Sequence, residues 1–498
     1  MTTGDGPDAS SLSLDHPATA LPRETGGDGA GSSQRVFAAL DQAPMTWRHY
    51  ALWFAASGGA LIDGWTVATL GLALPLLKSV FALDATFVGL LGSALLVGAV
   101  ISAWVGGVLA DKYGRRRVLI IDMAIIAAAG LIGAFAREPW MLLLSEFVAG
   151  LGIGADFPTS AAYVSELMPR KARSRMTVAT IAMQAVGMIC AVLVGLAILR
   201  VDPAQGAWRL MFGAQAAVAI CFFLGRLAAP DSVRWLAIKG RLTEARALLA
   251  RLAREFDDTA LLSAPLEATS AAALATPAAP KASVAMLFGR RFRDRTLLAC
   301  VPWTLMDVAT YGVGLFTPVI LGALHLDAAN ANVVIADTSD AEGSALVDVF
   351  LLLGFAASLW AVPKFGRVPM QVAGFGGMAV GMALLLFATL TGEGAAHHLV
   401  LVLGGFILFN FAMNIGPNAT TFALPPTLFP TAVRASASGF AAGCAKIGAT
   451  LGAFVVPLLQ ARWGLSGVLA LMTLVSLLGL VVTAGLAHAV NEEGAIEE

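Results

Sequence analysis

The segment GGVLADKYGRRRVL (residues 106–119) joins two long apolar runs through a short, strongly basic turn. Asp111 follows the end of one run, and Gly114 allows a tight reversal. Arg115, Arg116 and Arg117 are expected to face the cytoplasm, where basic residues anchor the ends of membrane helices. A degenerate copy, VPKFGRVPMQVAGF (362–375), carries Gly366 and Arg367 and recurs in the second half of the chain. Two related turns at the same place in each half are the mark of an internal repeat.

Counting outward from these turns, continuous apolar runs fall near 51–77, 86–110, 118–136, 140–165, 176–199 and 209–229, then near 297–324, 344–363, 368–391, 397–422, 434–460 and 464–490. Each is long enough to cross a bilayer, which takes about 20 apolar residues. The runs do not alternate, which argues against a β-barrel. The expected fold is an all-α polytopic membrane protein with twelve transmembrane helices in two six-helix halves. Composition agrees: 58% of the 498 residues are hydrophobic and 13% are charged, and the mean hydropathy is +0.78. A soluble domain has about 25% charged residues, so a disordered chain, a nucleic-acid binder and an ordinary soluble enzyme are excluded. The net charge of −1 names no charged partner. Cys190, Cys221, Cys300 and Cys444 sit in apolar stretches as packing residues, with no disulfide or zinc spacing.

The division expected is a disordered cytoplasmic tail (1–47), a first six-helix half (48–229), a cytoplasmic central loop (230–296), a second half (297–490) and a short C-terminal tail (491–498). The first tail lacks the pattern of a cleaved signal peptide. Within the central loop, RLTEARALLARLAREF (241–256) has the apolar period of a surface helix, and 264–285 is an Ala/Pro-rich linker. With both termini cytoplasmic, 26 of the 32 lysines and arginines fall on the cytoplasmic side, as expected of a multi-pass protein of the cytoplasmic membrane.

Ionisable residues inside a span are costly and point to function. The clear ones are Asp63, Asp156, Asp307 and Lys446. Glu146 and Asp122 lie nearer span ends, where they are expected to snorkel to an interface. Gly64 and Pro75 suggest a loosened helix around Asp63. Asp156 follows Gly150, Gly152 and Gly154, which allow close helix approach, and precedes Pro158, which frees a carbonyl. An acid beside such a break suits a proton carrier. Trp303, Asp307 and Tyr311 lie at i, i+4 and i+8 and form one stripe. Lys446 lies in a small-residue helix and would pair with an acid or an anionic substrate. Gln184 and Asn418 add amides, and His397 and His398 read as interfacial. No phosphate loop, metal-ligand cluster or nucleophile–base pair is seen, so no catalytic residue, metal or cofactor is expected.

The two basic turns resemble the signature loop of the major facilitator superfamily. APDSVRWLAIKGRLTEARALLARL (229–252) resembles the segment that follows span 6 in sugar porters. Within that branch the chain is similar to the phosphate:proton symporters. The resemblance rests on GIGADFPTS (152–160), on Trp303, Asp307 and Tyr311, on GPNATTFALPPTLFPTAVR (416–434), on AAGCAKIGA (441–449) and on VPMQVAGF (368–375). It covers roughly residues 60–460.

The resemblance implies alternating access by the two halves. Gating would fall on Gly107, Asp111, Gly114, Arg115, Arg116, Gly366 and Arg367. Asp63, Asp156 and Asp307 would couple protons. Gln184, Trp303, Asp307, Tyr311, Asn418 and Lys446 would bind substrate. The partners implied are a small solute, a proton and the lipid bilayer, with no nucleic acid and no obligate protein partner. Departures bear on the cargo. Phe157 replaces a tyrosine, Thr66 an acid, Ala155 a glycine and Thr427 an acid, and Glu146 stands where the family has an arginine. A strongly hydrated anion pays for each lost donor in a dry site. The leading expectation is a proton-coupled symporter for phosphate or a similar small anion. The alternative is a symporter for a sugar, organic acid or aromatic acid. A sensor or membrane enzyme on the same fold is a third class.

Overall fold

A computed structural model describes residues 41–42, 44–201, 204, 206–255, 284–314, 350–390, 399–430 and 433–490. The tail before residue 41, most of the linker, the outer part of span 7, the start of span 8, His397, His398 and the C-terminal tail lie outside the described residues.

All regular structure among the described residues is helical. In the first half α1 is Trp47–Phe81, α2 Ala85–Tyr113, α3 Arg115–Ala134, α4 Pro139–Leu167, α5 Arg170–Val201 and α6 Trp208–Leu227. The central segment holds α7, Val233–Ile238, and the expected surface helix α8, Leu242–Glu255. The second half holds α9, Arg293–Gly314, α10, Phe350–Phe365, α11, Arg367–Leu390, α12, Leu399–Ile415, α13, Pro417–Ala423, α14, Pro425–Leu428, and α15, Arg434–Gly485. α15 contains the last two expected spans, and Gly464 (φ 67°) divides them. Nine helices among the described residues are long and apolar enough to cross a membrane. The other three expected spans contain α9, α10 and α12, so the count of twelve is consistent with what is described. The chain is an integral membrane protein.

Glycines fix how closely the helices approach. A Cβ at Gly150 or Gly154 would overlap backbone carbonyls of α2, and one at Gly64 or Gly187 would overlap the α1–α5 seam. Despite Gly64 and Pro75, α1 is one continuous helix. The expected loosening is absent because α5 packs directly along it. In the second half Gly448 of α15 meets Thr304 of α9 in the same way. The halves meet where α2 and α4 pack on α15 and where α5 packs on α13.

Candidate functional site

The basic turn closes one end of the seam between the halves. Gly114 (φ 104°) and Gly366 (φ 91°) each take the left-handed backbone that their turns require. At Gly107 a side chain would strike the Ala435 carbonyl across the seam. The Asp111 carboxylate accepts hydrogen bonds from the Ser436 backbone N–H (2.7 Å) and hydroxyl (2.6 Å), so it caps the start of α15. Arg115 bridges Asp111 (3.0 Å) and Glu166 (2.9 Å), and Glu166 in turn faces Arg434 at 3.8 Å. Arg115 is fully buried. The expectation that it faces solvent is corrected: its guanidinium is consumed by two carboxylates and the Ala110 carbonyl. Arg116 donates to the Leu227 carbonyl (2.7 Å) and Arg367 to Thr427 (3.0 Å). The seam is closed at this basic end.

Deeper in the first half, Asp156 is fully buried beside Arg226 of α6. Arg226 Nη1 lies 2.7 Å from Asp122 Oδ1, 2.5 Å from Asp156 Oδ2 and 2.8 Å from the Leu119 carbonyl. Its Nε and Nη2 donate to the Ala55 and Ala56 carbonyls, each at 2.8 Å. One guanidinium thus faces two carboxyls. If both were ionised the cluster would carry one uncompensated negative charge. A Cβ at Gly59 would overlap the Asp156 carboxyl, so α1 seals the cluster. An arginine near the end of the run 209–229 would ordinarily anchor that end in the cytoplasm, and Asp122 is expected to snorkel. Both are instead 1% exposed. The only signal in the sequence was one arginine within the last turn of an apolar run.

The other expected residues gather between the halves. Gln184 Nε2 donates to Asp63 Oδ2 at 2.6 Å. Lys446 Nζ lies 3.2 Å from the Tyr311 hydroxyl, 5.3 Å from the Tyr311 ring centroid and 5.0 Å from that of Phe157. Phe157 meets Phe422 edge-on (5.9 Å), and Phe422 meets Trp303 (6.3 Å). Asp63 and Asp307 both lie within electrostatic range of Lys446. Asp307 Oδ2 is buried without a hydrogen-bond partner. Among the described residues this centre therefore has one cation, two acids, a tyrosine hydroxyl and an aromatic wall that includes Phe157 and Phe422. Asn418 donates instead to Asn414 (2.8 Å), and no described contact joins it to the Lys446 group. No group of three or more metal-ligating side chains occurs among the described residues.

Two helical halves meet along a seam that is closed at one end and holds charged residues between them. The family model "Sugar (and other) transporter" matches residues 51–492, and the chain belongs to that family. It is similar to the inner membrane metabolite transport protein YgcS of Escherichia coli (27% identity over 89% of this chain and 92% of that one). It is also similar to inorganic phosphate transporter 1-11 of Oryza sativa (29% identity over 85% of this chain and 82% of that one). Its fold is that of the proton:xylose symporter XylE with bound 6-bromo-6-deoxy-D-glucose (TM-score 0.70, 19% identity, 87% of this chain and 94% of that one).

Proposed function

We propose that this transporter is a proton-coupled symporter of a small anion, with inorganic phosphate the first candidate, working by alternating access across the cytoplasmic membrane. The observation that carries this reading is Lys446 held between the halves within range of Asp63 and Asp307. With both acids ionised the group repels an anion. Each proton that loads makes it more positive, and with both acids neutral the ammonium and the Tyr311 hydroxyl are left to receive one. The Asp122–Arg226–Asp156 cluster supplies a second place for a proton. The rice relative named as an inorganic phosphate transporter supports the choice of anion. The Asp111–Ser436 contact and the Glu166 pairs serve as the gate at the basic end, and the placement of lysine and arginine supports reading that end and both termini as cytoplasmic.

The test is uptake of labelled phosphate into proteoliposomes under an imposed pH gradient. Uptake that ignores the gradient, or that survives both Asp156→Asn and Asp307→Asn unchanged, sinks the reading. A second reading, an organic or aromatic acid as cargo, draws on Phe157. Its ring packs on Phe422 beside Lys446, which would suit a carboxylate with an apolar body. Thermal stabilisation by organic acids and none by phosphate would decide for it.

A further inference from the structure

Glu146 of α4 is 1% exposed, and its Oε2 is buried with no hydrogen-bond partner. Sequence reading let it snorkel; the structure holds it inside. It stands eleven residues before Phe157, which is three helical turns, so the two share one stripe of α4. Phe157 ends that stripe against Lys446 and Phe422. Glu146 lies about 16 Å further along the same stripe, away from the basic end.

None of the helices packed on α4 shows a charged side chain against Glu146 among the described residues: Arg173 of α5 faces Asp41, and Arg200 of α5 and Lys78 of α1 are exposed. Asp63 of α1 faces Gln184, and Asp122 of α3 faces Arg226 with Asp156 of α4 itself. Asp111 of α2, Arg115 of α3 and Arg434 of α15 gather on Glu166 at the basic end, while Lys446 of α15 faces Phe157 and Tyr311. Among the described residues Glu146 makes no ion pair, and its buried Oε2 has no hydrogen-bond partner. A lone carboxylate is expensive in such a place, whereas the neutral acid is tolerated. The side chain therefore has reason to exchange a proton whenever its surroundings pass from dry to wet.

We propose that Glu146 is a separate protonation site on the outer approach to the centre, and that an anion passes it from outside only when it is neutral. The inference rests on the reading of the chain as a proton-coupled anion symporter. Its chemistry is simple: the carboxylate takes one proton from outer water and returns it on re-exposure. An ionised Glu146 in a low-dielectric passage repels the incoming anion. Protonation of Glu146 would then precede anion binding at the centre, and its proton goes back to the outer water when the site is re-exposed.

The test uses the full chain in proteoliposomes, with inorganic phosphate as the probe and Glu146→Gln and Glu146→Asp as variants. The KM for phosphate is measured over a series of outer pH values. Dividing the wild-type KM by that of Glu146→Gln cancels the titration of phosphate itself. The expected ratio rises about tenfold per pH unit once the outer pH exceeds the point at which the acid titrates, and Glu146→Asp behaves as the wild type. A ratio that stays constant overturns the proposal. Independently, infrared difference spectra should show a protonated-carboxyl band in the wild type that Glu146→Gln lacks, and identical spectra also overturn it. If wild-type phosphate uptake ignores the pH gradient, the symport reading fails, while the infrared band still decides whether Glu146 holds a proton.

Discussion

Replacing Arg226 with methionine tests the charge balance of the first half. The arginine holds three backbone carbonyls, of Ala55, Ala56 and Leu119, and two carboxyls, of Asp122 and Asp156. Removing one partner of a buried pair costs about 3–5 kcal/mol, because the other charge is left unpaired. Arg226→Met should lose about that much. The single variants Asp122→Asn and Asp156→Asn should each lose less than about 1 kcal/mol. Each leaves one carboxylate for one guanidinium, and the new amide oxygen keeps an acceptor in place. The double variant leaves the arginine without a counter-charge and should lose about 3–5 kcal/mol again. The assay is unfolding of the purified protein in mixed detergent micelles, followed by helical circular dichroism. If either single asparagine costs as much as Arg226→Met, the argument fails: both negative charges would then be needed, and the cluster would have no room for a proton.

Three further outcomes follow from the packing. Gly59→Ala drives a methyl into the Asp156 carboxyl and should cost about 1–3 kcal/mol by the same unfolding assay, whereas Gly71→Ala, which meets open space, should cost nothing. Gly107→Leu cannot seat against the Ala435 carbonyl, so it should hold the basic end open, and a cysteine placed at Ser436 should then react faster with an impermeant maleimide. Phe157→Tyr puts a hydroxyl beside Lys446; if phosphate is the cargo, one added hydrogen bond of about 0.5–1.5 kcal/mol lowers its KM by roughly two- to tenfold, and an unchanged KM in labelled-phosphate uptake tells against phosphate.

The spans were legible because hydropathy is a local property. A run of apolar residues must be helical in lipid, where every backbone polar group has to be satisfied within its own segment. The basic turns, the surface helix α8 and the acids within the spans were legible for the same reason. Asp63, Asp307 and Lys446 stood out as candidates because charge in an apolar run is exceptional wherever the run packs.

What the chain by itself could not show was which side chains meet. Arg226 looked like one more basic anchor because it ends a span, and span ends are where arginines usually reach water. Only the packing of α6 against α1 and α3 turns it inward onto Asp122 and Asp156, more than sixty residues away in sequence. Glu146 and Asp122 looked free to snorkel until neighbouring helices buried them. Asn418 seemed part of the centre and turns instead to Asn414. The sequence determined the nature of the membrane segments and the charges they carry. The pairing of those charges belongs to the tertiary structure alone, because it depends on helix faces brought together across long stretches of chain, and no local pattern encodes them.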